Sequence, residues 1–511
     1  MIAAAAAYLT YRPFIISVDS LYGFLAYKGT LAHAFNRVIY IQPGNVNKIN
    51  AAFEAWWAPG QWLYPGIFNY LFGARFGVAS IIVTLICTAA GFIMYYKIFR
   101  LFKFTTTIAA ISLVVIFCSS TFYYSFVIYQ GGEIIEFCFF PCFLFYILSE
   151  KKNNFYTLFI TTTLFLLCCI AKLTLLVYAS SALFYKAFYQ SIANYCKTKK
   201  NQINTSDLWQ LLPFFVSAFL VEYFFLSKGA TIPLFHYFHF SAESILIPFS
   251  SPLCSILSIQ EWIIRLGRFT DSYALQIVLY FVCTIAISII GLKIARQKSI
   301  NERYKWLLIF LFAGLLCFFI PAYLFKTDID KSCRHFKLLG FLCIPGFIHV
   351  LREAFNFRYK PIIIALICLL TVIDIIYIKE KWAKNRYISI NYFYRNEGFL
   401  DRIDGLDRFS YEKLIRLDKI FTKPDLSPET IFFIESTADV RMDMQHICII
   451  QNPFDNNSNQ PYKGNTRIII ACISKNTLSF NKNFLKNKFP DYHNFQLIDQ
   501  TDNYSFIKIM N

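Results

Sequence analysis

Charge is what this chain has least of. Lys, Arg, Asp and Glu make up 16% of its 511 residues, against 57% hydrophobic, whereas a soluble domain carries about 25% charge. A chain so poor in charge cannot hide its apolar surface in one aqueous core, and a mean hydropathy of +0.46 sends most of it into lipid. That excludes a cytosolic enzyme, a secreted disulfide scaffold and a disordered regulator. Metal-type spacing is missing too: the 15 cysteines contain no CxxC pair and lie mostly inside apolar runs, where a thiol is a small packing residue. There is no internal repeat of the kind that marks many transporters. Residues 1–17 carry no basic n-region and no clear cleavage site, so they read as a span rather than a signal peptide.

What the chain does have is an excess of cations, 49 Lys and Arg against 31 Asp and Glu, for a net charge of +18. No continuous basic face and no nucleic-acid motif accompanies it. The cations fall in short clusters between apolar runs, the pattern of cytoplasmic loops under the positive-inside rule. Runs long enough to cross about 30 Å of hydrocarbon lie near 2–17, 77–96, 105–128, 134–149, 155–171, 173–190, 208–226, 273–292, 306–325, 335–351 and 361–378. The first is barely a span and reads as incomplete at its start. Lys97, Arg100 and Lys103; Lys151 and Lys152; Lys197, Lys199 and Lys200; Lys293, Arg296, Lys298, Arg303 and Lys305; and Arg352, Arg358 and Lys360 fall on alternate loops. Eleven crossings then place the N-terminus in the cytoplasm and the C-terminus outside.

Two outer loops are long, about 18–66 and 227–272, and mix aromatic, Pro and polar residues, the composition of short helices lying in the interface plane. From about 380 the chain turns polar. Apolar runs at Thr430–Ile434, Ile447–Ile450, Arg467–Ile473 and Tyr504–Ile509 alternate with Asn-, Asp- and Pro-rich turns, and a helical stretch covers Phe480–Lys488. The expected organisation is a membrane domain, 1–379, followed by a small outward-facing α/β domain, 380–511. Cys448 and Cys472 are the only cysteines in this polar part and would form a disulfide if it faces an oxidising compartment.

Charges at the membrane are costly and usually functional. Asp19 follows the first apolar run, in Val18-Asp19-Ser20-Leu21-Tyr22. Glu54 precedes Ala55-Trp56-Trp57-Ala58-Pro59. Glu133 ends the short outer loop Tyr129-Gln130-Gly131-Gly132-Glu133. Lys172 divides two apolar runs in Ala171-Lys172-Leu173-Thr174, and Arg334-His335 open the tenth span. All sit at one face of the membrane in this topology. Carboxylates and cations gathered there suit reaction at a lipid-linked phosphate. A carboxylate takes the proton of an acceptor hydroxyl attacking a sugar C1, while fixed cations hold the charge growing on the departing phosphate. Each residue also has a plain reading: Asp19 as a helix N-cap, Glu54 as a solvated loop charge, Glu133 as a favourable anion at a helix N-terminus, Lys172 as a snorkelling cation, Arg334 as flank charge. The Trp56-Trp57-Trp62 group reads first as an interfacial aromatic belt.

With these residues in this order the chain resembles the glycosyltransferase-C (GT-C) superfold, the polytopic enzymes that use polyprenyl-phosphate-linked sugars. The group includes lipid A aminoarabinose transferases, protein O-mannosyltransferases and dolichyl-phosphate-mannose-type mannosyltransferases. Asp19 with Ser20-Leu21-Tyr22, the segment Trp57-Ala58-Pro59-Gly60-Gln61-Trp62-Leu63-Tyr64-Pro65-Gly66, Ala171-Lys172-Leu173-Thr174, and Cys333-Arg334-His335-Phe336-Lys337 followed by Pro345 carry the likeness, over roughly residues 10–350. The family often pairs two acids in the first loop, whereas here Ser20 follows Asp19. The resemblance implies a mainly α, polytopic GT-C-like bundle of about eleven transmembrane helices, with interfacial helices in the first outer loop. It implies Asp19 as general base and Lys172, Arg334 and His335 around the donor phosphate, with Glu54 and Glu133 as acceptor-binding or second acids. It requires no cofactor and allows a divalent metal at Glu54 with His239 or His236. The expected function is transfer of a sugar from a polyprenyl phosphate to an envelope glycan, lipid or protein at the outer face of a bacterial cytoplasmic membrane, with inversion. The rival readings are a transporter or flippase of lipid-linked sugars and a non-catalytic envelope assembly protein.

Overall fold

The computed structural model describes residues 15–16, 18–32, 35–41, 44–53, 58–74, 76–149, 154–198, 208–228, 237–325, 327, 329–354, 361, 376, 399–400, 430–434, 448–450, 461–475, 478, 483–500 and 504–511. A short strand β1 (Ile15–Ile16) leads into α1 (Val18–Ala32), the strands β2 (Arg37–Ile41) and β3 (Ile49–Phe53), and α2 (Gly60–Phe72). The helical body continues with α3 (Phe76–Leu101), α4 (Thr106–Cys118), α5 (Ser120–Val127), strand β4 (Ile128–Tyr129), α6 (Gly132–Ser149), α7 (Phe155–Ala171), α8 (Leu175–Thr198) and α9 (Leu212–Phe224). It closes with α10 (Ala242–Cys254), α11 (Ile259–Phe269), α12 (Tyr273–Arg296), α13 (Glu302–Leu324), a 3-10 turn at Cys333–Phe336 and α14 (Lys337–Ala354).

These runs become helices because hydrocarbon offers no partner for a free N–H or C=O. Among the described residues, six helices are long and apolar enough to cross a membrane: Gly77–Leu101, Gly132–Ser149, Trp209–Lys228, Tyr273–Arg296, Glu302–Leu324 and Cys333–Arg352. Each falls on an expected span. The run at 155–171 is a 17-residue apolar helix, and 173–190 lies in the 24-residue α8 from Leu175 onward. The expected spans at 2–17 and 361–378 lie almost wholly outside the described residues.

The run at 105–128 departs from expectation. It is two helices, Thr106–Cys118 and Ser120–Phe126, bent by 63°. Ser119 is extended, and its hydroxyl donates to Val115 O (2.8 Å) while accepting from Leu257 N–H (3.0 Å). Ser120 N–H and its hydroxyl both donate to Leu257 O, and Thr121 donates to Ser255 O. The backbone freed by the bend is thus satisfied by the segment after α10, as non-helical backbone at membrane depth requires.

Helix burial separates centre from rim. Protein covers 67% of the apolar window of α6 and 72% of that running into α14, but only 11% of that of α12, which therefore faces lipid. Phe92 (α3), Phe122 (α5) and Phe137 (α6) pack with ring centroids 4.7 to 5.2 Å apart, and Phe341 of α14 lies 6.0 Å from Phe137. This aromatic core ties the central helices together.

The C-terminal part carries β5 (Phe399–Leu400), β6 (Ile431–Ile434), β7 (Cys448–Ile450), β8 (Ile469–Ser474), α15 (Phe484–Lys488), β9 (Asn494–Gln500) and β10 (Tyr504–Met510). Five of these strands form one sheet in the order β7-β6-β8-β10-β9. The pairs on either side of β6 are parallel (Phe432 with Cys448, Ile431 with Ile469), and those on either side of β10 antiparallel (Cys472 with Phe506, Phe495 with Ile509). Four strands fall where the apolar runs predict them. The fifth, β9, was not foreseen, because Asn-Phe-Gln-Leu-Ile-Asp-Gln is half polar, as an exposed edge strand should be. Strand order also corrects the disulfide expectation. Cys448 and Cys472 sit on β7 and β8 with β6 between them, so their Cα atoms are roughly two strand spacings, about 10 Å, apart, beyond the reach of a bridge. Cys472 is buried.

The long loop expected at about 18–66 is not helical throughout: β2 and β3 form a hairpin with Arg37 opposite Phe53. Its far end enters the C-terminal sheet domain. Gly44 and Val46 donate backbone hydrogen bonds to Pro461 O (2.9 Å) and Lys463 O (2.7 Å), and Thr466 bonds the side chain of Asn47. Val46 is fully buried in the same core as Ile431, Phe433, Tyr462 and Ile469.

Candidate functional site

Three chain breaks meet at one end of the bundle. β1 pairs in parallel with β4 (Ile15 with Ile128, Ile16 with Tyr129) and with β5. Helices α1 and α6 follow β1 and β4 directly, so their N-termini lie side by side. The Ser20 hydroxyl of α1 seals the junction by donating to Tyr129 O (3.3 Å), and the Tyr129 hydroxyl donates to Gln61 O (2.5 Å). Between β4 and α6 stands Gly131, at φ +53, where a Cβ would come within 2.3 Å of Gln61 Cβ. Only glycine serves there. The third break is at Lys172, which ends α7 in extended conformation and is followed after two residues by α8. Gly60 at the start of α2 permits this packing, since a Cβ would lie 2.6 Å from Ile170 O.

The breaks carry charge into a buried cluster. Lys172 Nζ donates to Glu133 Oε1 (2.6 Å) and Glu136 Oε1 (3.3 Å). Lys337 Nζ, from the first residue of α14, donates to Glu133 Oε2 (2.5 Å) and Glu133 O (2.9 Å), and pairs with Glu136 Oε1 at 2.9 Å. Glu133, Glu136 and Lys337 are 6%, 2% and 1% exposed. Two carboxylates and two ammonium groups thus neutralise one another at the heads of the two most buried spans. Burial of that many charges is tolerable only because each has partners in hydrogen-bonding geometry.

A second layer sits above the quartet. Arg334 Nε lies 4.0 Å from Glu133 Oε1, while its Nη2 donates to Asp330 Oδ1 (2.9 Å). The same Asp330 oxygen meets His335 Nε2 at 2.8 Å. The His335 ring is buried and stacks on Phe319, with centroids 5.5 Å apart. Burial acts to raise the Asp330 carboxyl pKa, but the His335 hydrogen bond and the Arg334 charge outweigh it. They hold this carboxyl well below the usual carboxylate range. Arg334 is the most exposed of the cluster's cations, at 37% of its side chain against 15% for Lys172 and 1% for Lys337.

The structure therefore brings together four of the residues singled out in the sequence: Glu133, Lys172, Arg334 and His335. Asp19 is the second residue of α1, next to Ser20 at the strand junction, though its side chain lies outside the described residues. So do Glu54 and His236. His239 is exposed, and its N–H donates to Leu324 O (2.7 Å). No group of three His, Cys, Asp or Glu side chains suited to a metal occurs among the described residues. Sequence reasoning missed Glu136 and Lys337. Both fall inside expected spans, at 134–149 and 335–351, and lie three residues from Glu133 and Arg334. An ionisable side chain within a span is itself the signal that marks them.

No model of a known protein family matches the chain, and no curated protein is similar to it in sequence. Solved structures are similar in fold. The crystal structure of ArnT from Cupriavidus metallidurans bound to undecaprenyl phosphate superposes with a TM-score of 0.55 at 8% identity, covering 99% of this chain and 97% of that one. The apo structure of the same protein gives a TM-score of 0.43 at 9% identity over the same shares. The chain thus has an ArnT-like fold, a polytopic helical bundle followed by a small C-terminal sheet.

Proposed function

We propose that this protein is an integral-membrane glycosyltransferase that moves a sugar from a polyprenyl phosphate to an acceptor of the bacterial cell envelope. The observation that carries this reading is the ArnT-like fold over nearly the whole chain, joined to a charged cluster at the heads of its most buried helices. The likeness is to a protein whose crystal structure holds undecaprenyl phosphate, and cations are what a phosphate-bearing donor needs.

In the proposed reaction Asp19 takes the proton of the acceptor hydroxyl. The acceptor oxygen forms a bond to C1 of the sugar as the C1–O bond to phosphate breaks, and that electron pair leaves on the polyprenyl phosphate. A single displacement of this kind inverts C1. Arg334, the most exposed cation, stabilises the departing phosphate with Lys172 behind it, and His335 orients beside them through Asp330. Glu133 holds Lys172 and Lys337 in place, which is a stronger reading for so deeply paired a carboxylate than contact with the acceptor. Glu54 is the acid proposed for the acceptor. A divalent metal, if the protein uses one, would be held by Glu54 and His239.

The membrane domain, 1–379, is proposed to lie in the bacterial inner membrane, with the site and the domain at 380–511 on its outer face. The bent pair α4–α5 favours a second reading, a carrier of lipid-linked sugars, which would grip the phosphate without using Asp19 as a base.

Mass spectrometry of lipids retained by the gently solubilised wild type, Asp19→Asn and Arg334→Ala tests the donor. A polyprenyl-phosphate sugar held by the first two and lost in the third supports the reading. Bulk phospholipid alone in all three, with no binding of added undecaprenyl phosphate, sinks it. Sugar transfer that survives Asp19→Asn undiminished would remove Asp19 as the base, and donor binding with no transfer by the wild type would favour the carrier.

A further inference from the structure

We propose that Gln260, on the short helix α11, is a positioning residue that sets Arg334 and His335 in place through the turn at Ser332–Cys333; this rests on the glycosyltransferase reading. Helix α11 has the make-up of an interfacial helix, with Leu266, Arg268 and Phe269 exposed on one side. Gln260 points the other way and is 7% exposed. Its Oε1 accepts the Cys333 N–H (2.9 Å) and the Ser332 hydroxyl (3.5 Å), and its Nε2 donates to the Tyr280 hydroxyl of α12 (3.3 Å). Ser332 in turn caps the 3-10 turn, its hydroxyl accepting the Arg334 N–H at 3.2 Å.

One amide therefore joins an interfacial helix, a lipid-facing span and the N-terminus of the turn that carries Arg334 and His335. Cys333 is fully buried, so no solvent stands ready to replace the carbonyl of Gln260. Removing it leaves a buried N–H without its partner, which the turn relieves only by moving. Arg334 and His335 move with that turn, and Lys337 begins the helix after it. Neither the motifs nor the charge pattern points to Gln260, because it is neutral and lies far along the chain from the residues it holds.

The test uses the full-length protein in detergent, titrated with undecaprenyl phosphate as the probe. The variants are Gln260→Met, Tyr280→Phe, Arg334→Ala and the double variant Gln260→Met with Arg334→Ala. Gln260→Met is expected to weaken binding about tenfold, and Tyr280→Phe to do so about threefold by loosening the amide. The double variant should bind within about twofold of Arg334→Ala alone, because a residue that acts through Arg334 has nothing further to lose once Arg334 is gone. A merely structural role would instead give losses that multiply.

Multiplying losses, or wild-type affinity in Gln260→Met beside a weakened Arg334→Ala, overturns the proposal. Should Gln260→Met fail to fold, wild-type affinity in Tyr280→Phe overturns it equally. If the wild type itself does not bind undecaprenyl phosphate, the donor reading falls and takes this one with it. That failure is distinct because it precedes any variant.

Discussion

Deleting one member of the Glu133–Glu136–Lys172–Lys337 quartet leaves three buried charges that no longer cancel. Lys337→Met should therefore destabilise the protein by about 3–5 kcal/mol, measured as chemical or thermal unfolding in detergent. Adding Glu136→Leu to it restores neutrality and should recover most of that loss, whereas Glu136→Leu added to an intact quartet should cost stability. Losses that simply add would show that the four side chains do not act as a unit. Asp330 behaves differently, since it is half exposed and its carboxyl is held low by His335 and Arg334. A depressed carboxyl contributes its full stabilisation above the unfolded value of about 3.9 and loses it as pH falls through the folded value. The stability difference between wild type and Asp330→Asn should thus be level from pH 8 to pH 5 and shrink only below about pH 4. A difference that changes across the neutral range would mean that a group other than this carboxylate dominates the contact with Arg334 and His335.

At the scale of elements, the site depends on where helices stop. The break between β4 and α6 works because Gly131 takes a positive φ against Gln61. Gly131→Ala combines a strained backbone with a clash and should cost about 1–3 kcal/mol. It should also impair the proposed sugar transfer, since the head of α6 carries Glu133; a variant with normal melting and transfer would show that this approach can relax freely. Ser119 plays the corresponding part at the α4–α5 bend. Ser119→Ala removes both a donor to Val115 and the acceptor of Leu257 N–H, for an expected loss of about 1–3 kcal/mol by the same unfolding measurement. The location of most spans was readable in advance because hydrocarbon demands length and apolarity in continuous sequence. The bend was not, for its warrant is a pair of hydrogen bonds to residues more than 130 positions away.

Over the whole molecule, the C-terminal sheet and the β2–β3 loop are one body. Val46 sits in the core with Ile431 and Phe433, and the loop that bears it follows α1, the helix on which Asp19 lies. Val46→Asp places an unpaired charge in that core and should open the sheet domain to limited proteolysis at concentrations that leave the wild type intact. Equal digestion of the two would show that the loop is dispensable to the domain. The same contact puts residues 44–47 and 461–466 on one side of the membrane. In a cysteine-free background, Lys463→Cys should react with an impermeant thiol reagent from outside the cell and Lys298→Cys only after permeabilisation. The reverse result would invert the proposed orientation.

The amino-acid sequence by itself determined the solvent this protein lives in, the position of most of its described helices and four of the C-terminal strands. Those follow from local composition and periodicity, which act over a few residues. It also pointed to Glu133, Lys172, Arg334 and His335, because an ion beside a hydrophobic run is conspicuous wherever the chain later takes it. Which ions meet was a matter for the tertiary structure alone. The pairing of Lys337 with Glu133, the junction of β1 with β4, the burial of Val46 under a sheet nearly 400 residues downstream and the separation of Cys448 from Cys472 all depend on how distant segments pack. No local rule encodes a distance between residues that only the folded chain brings together.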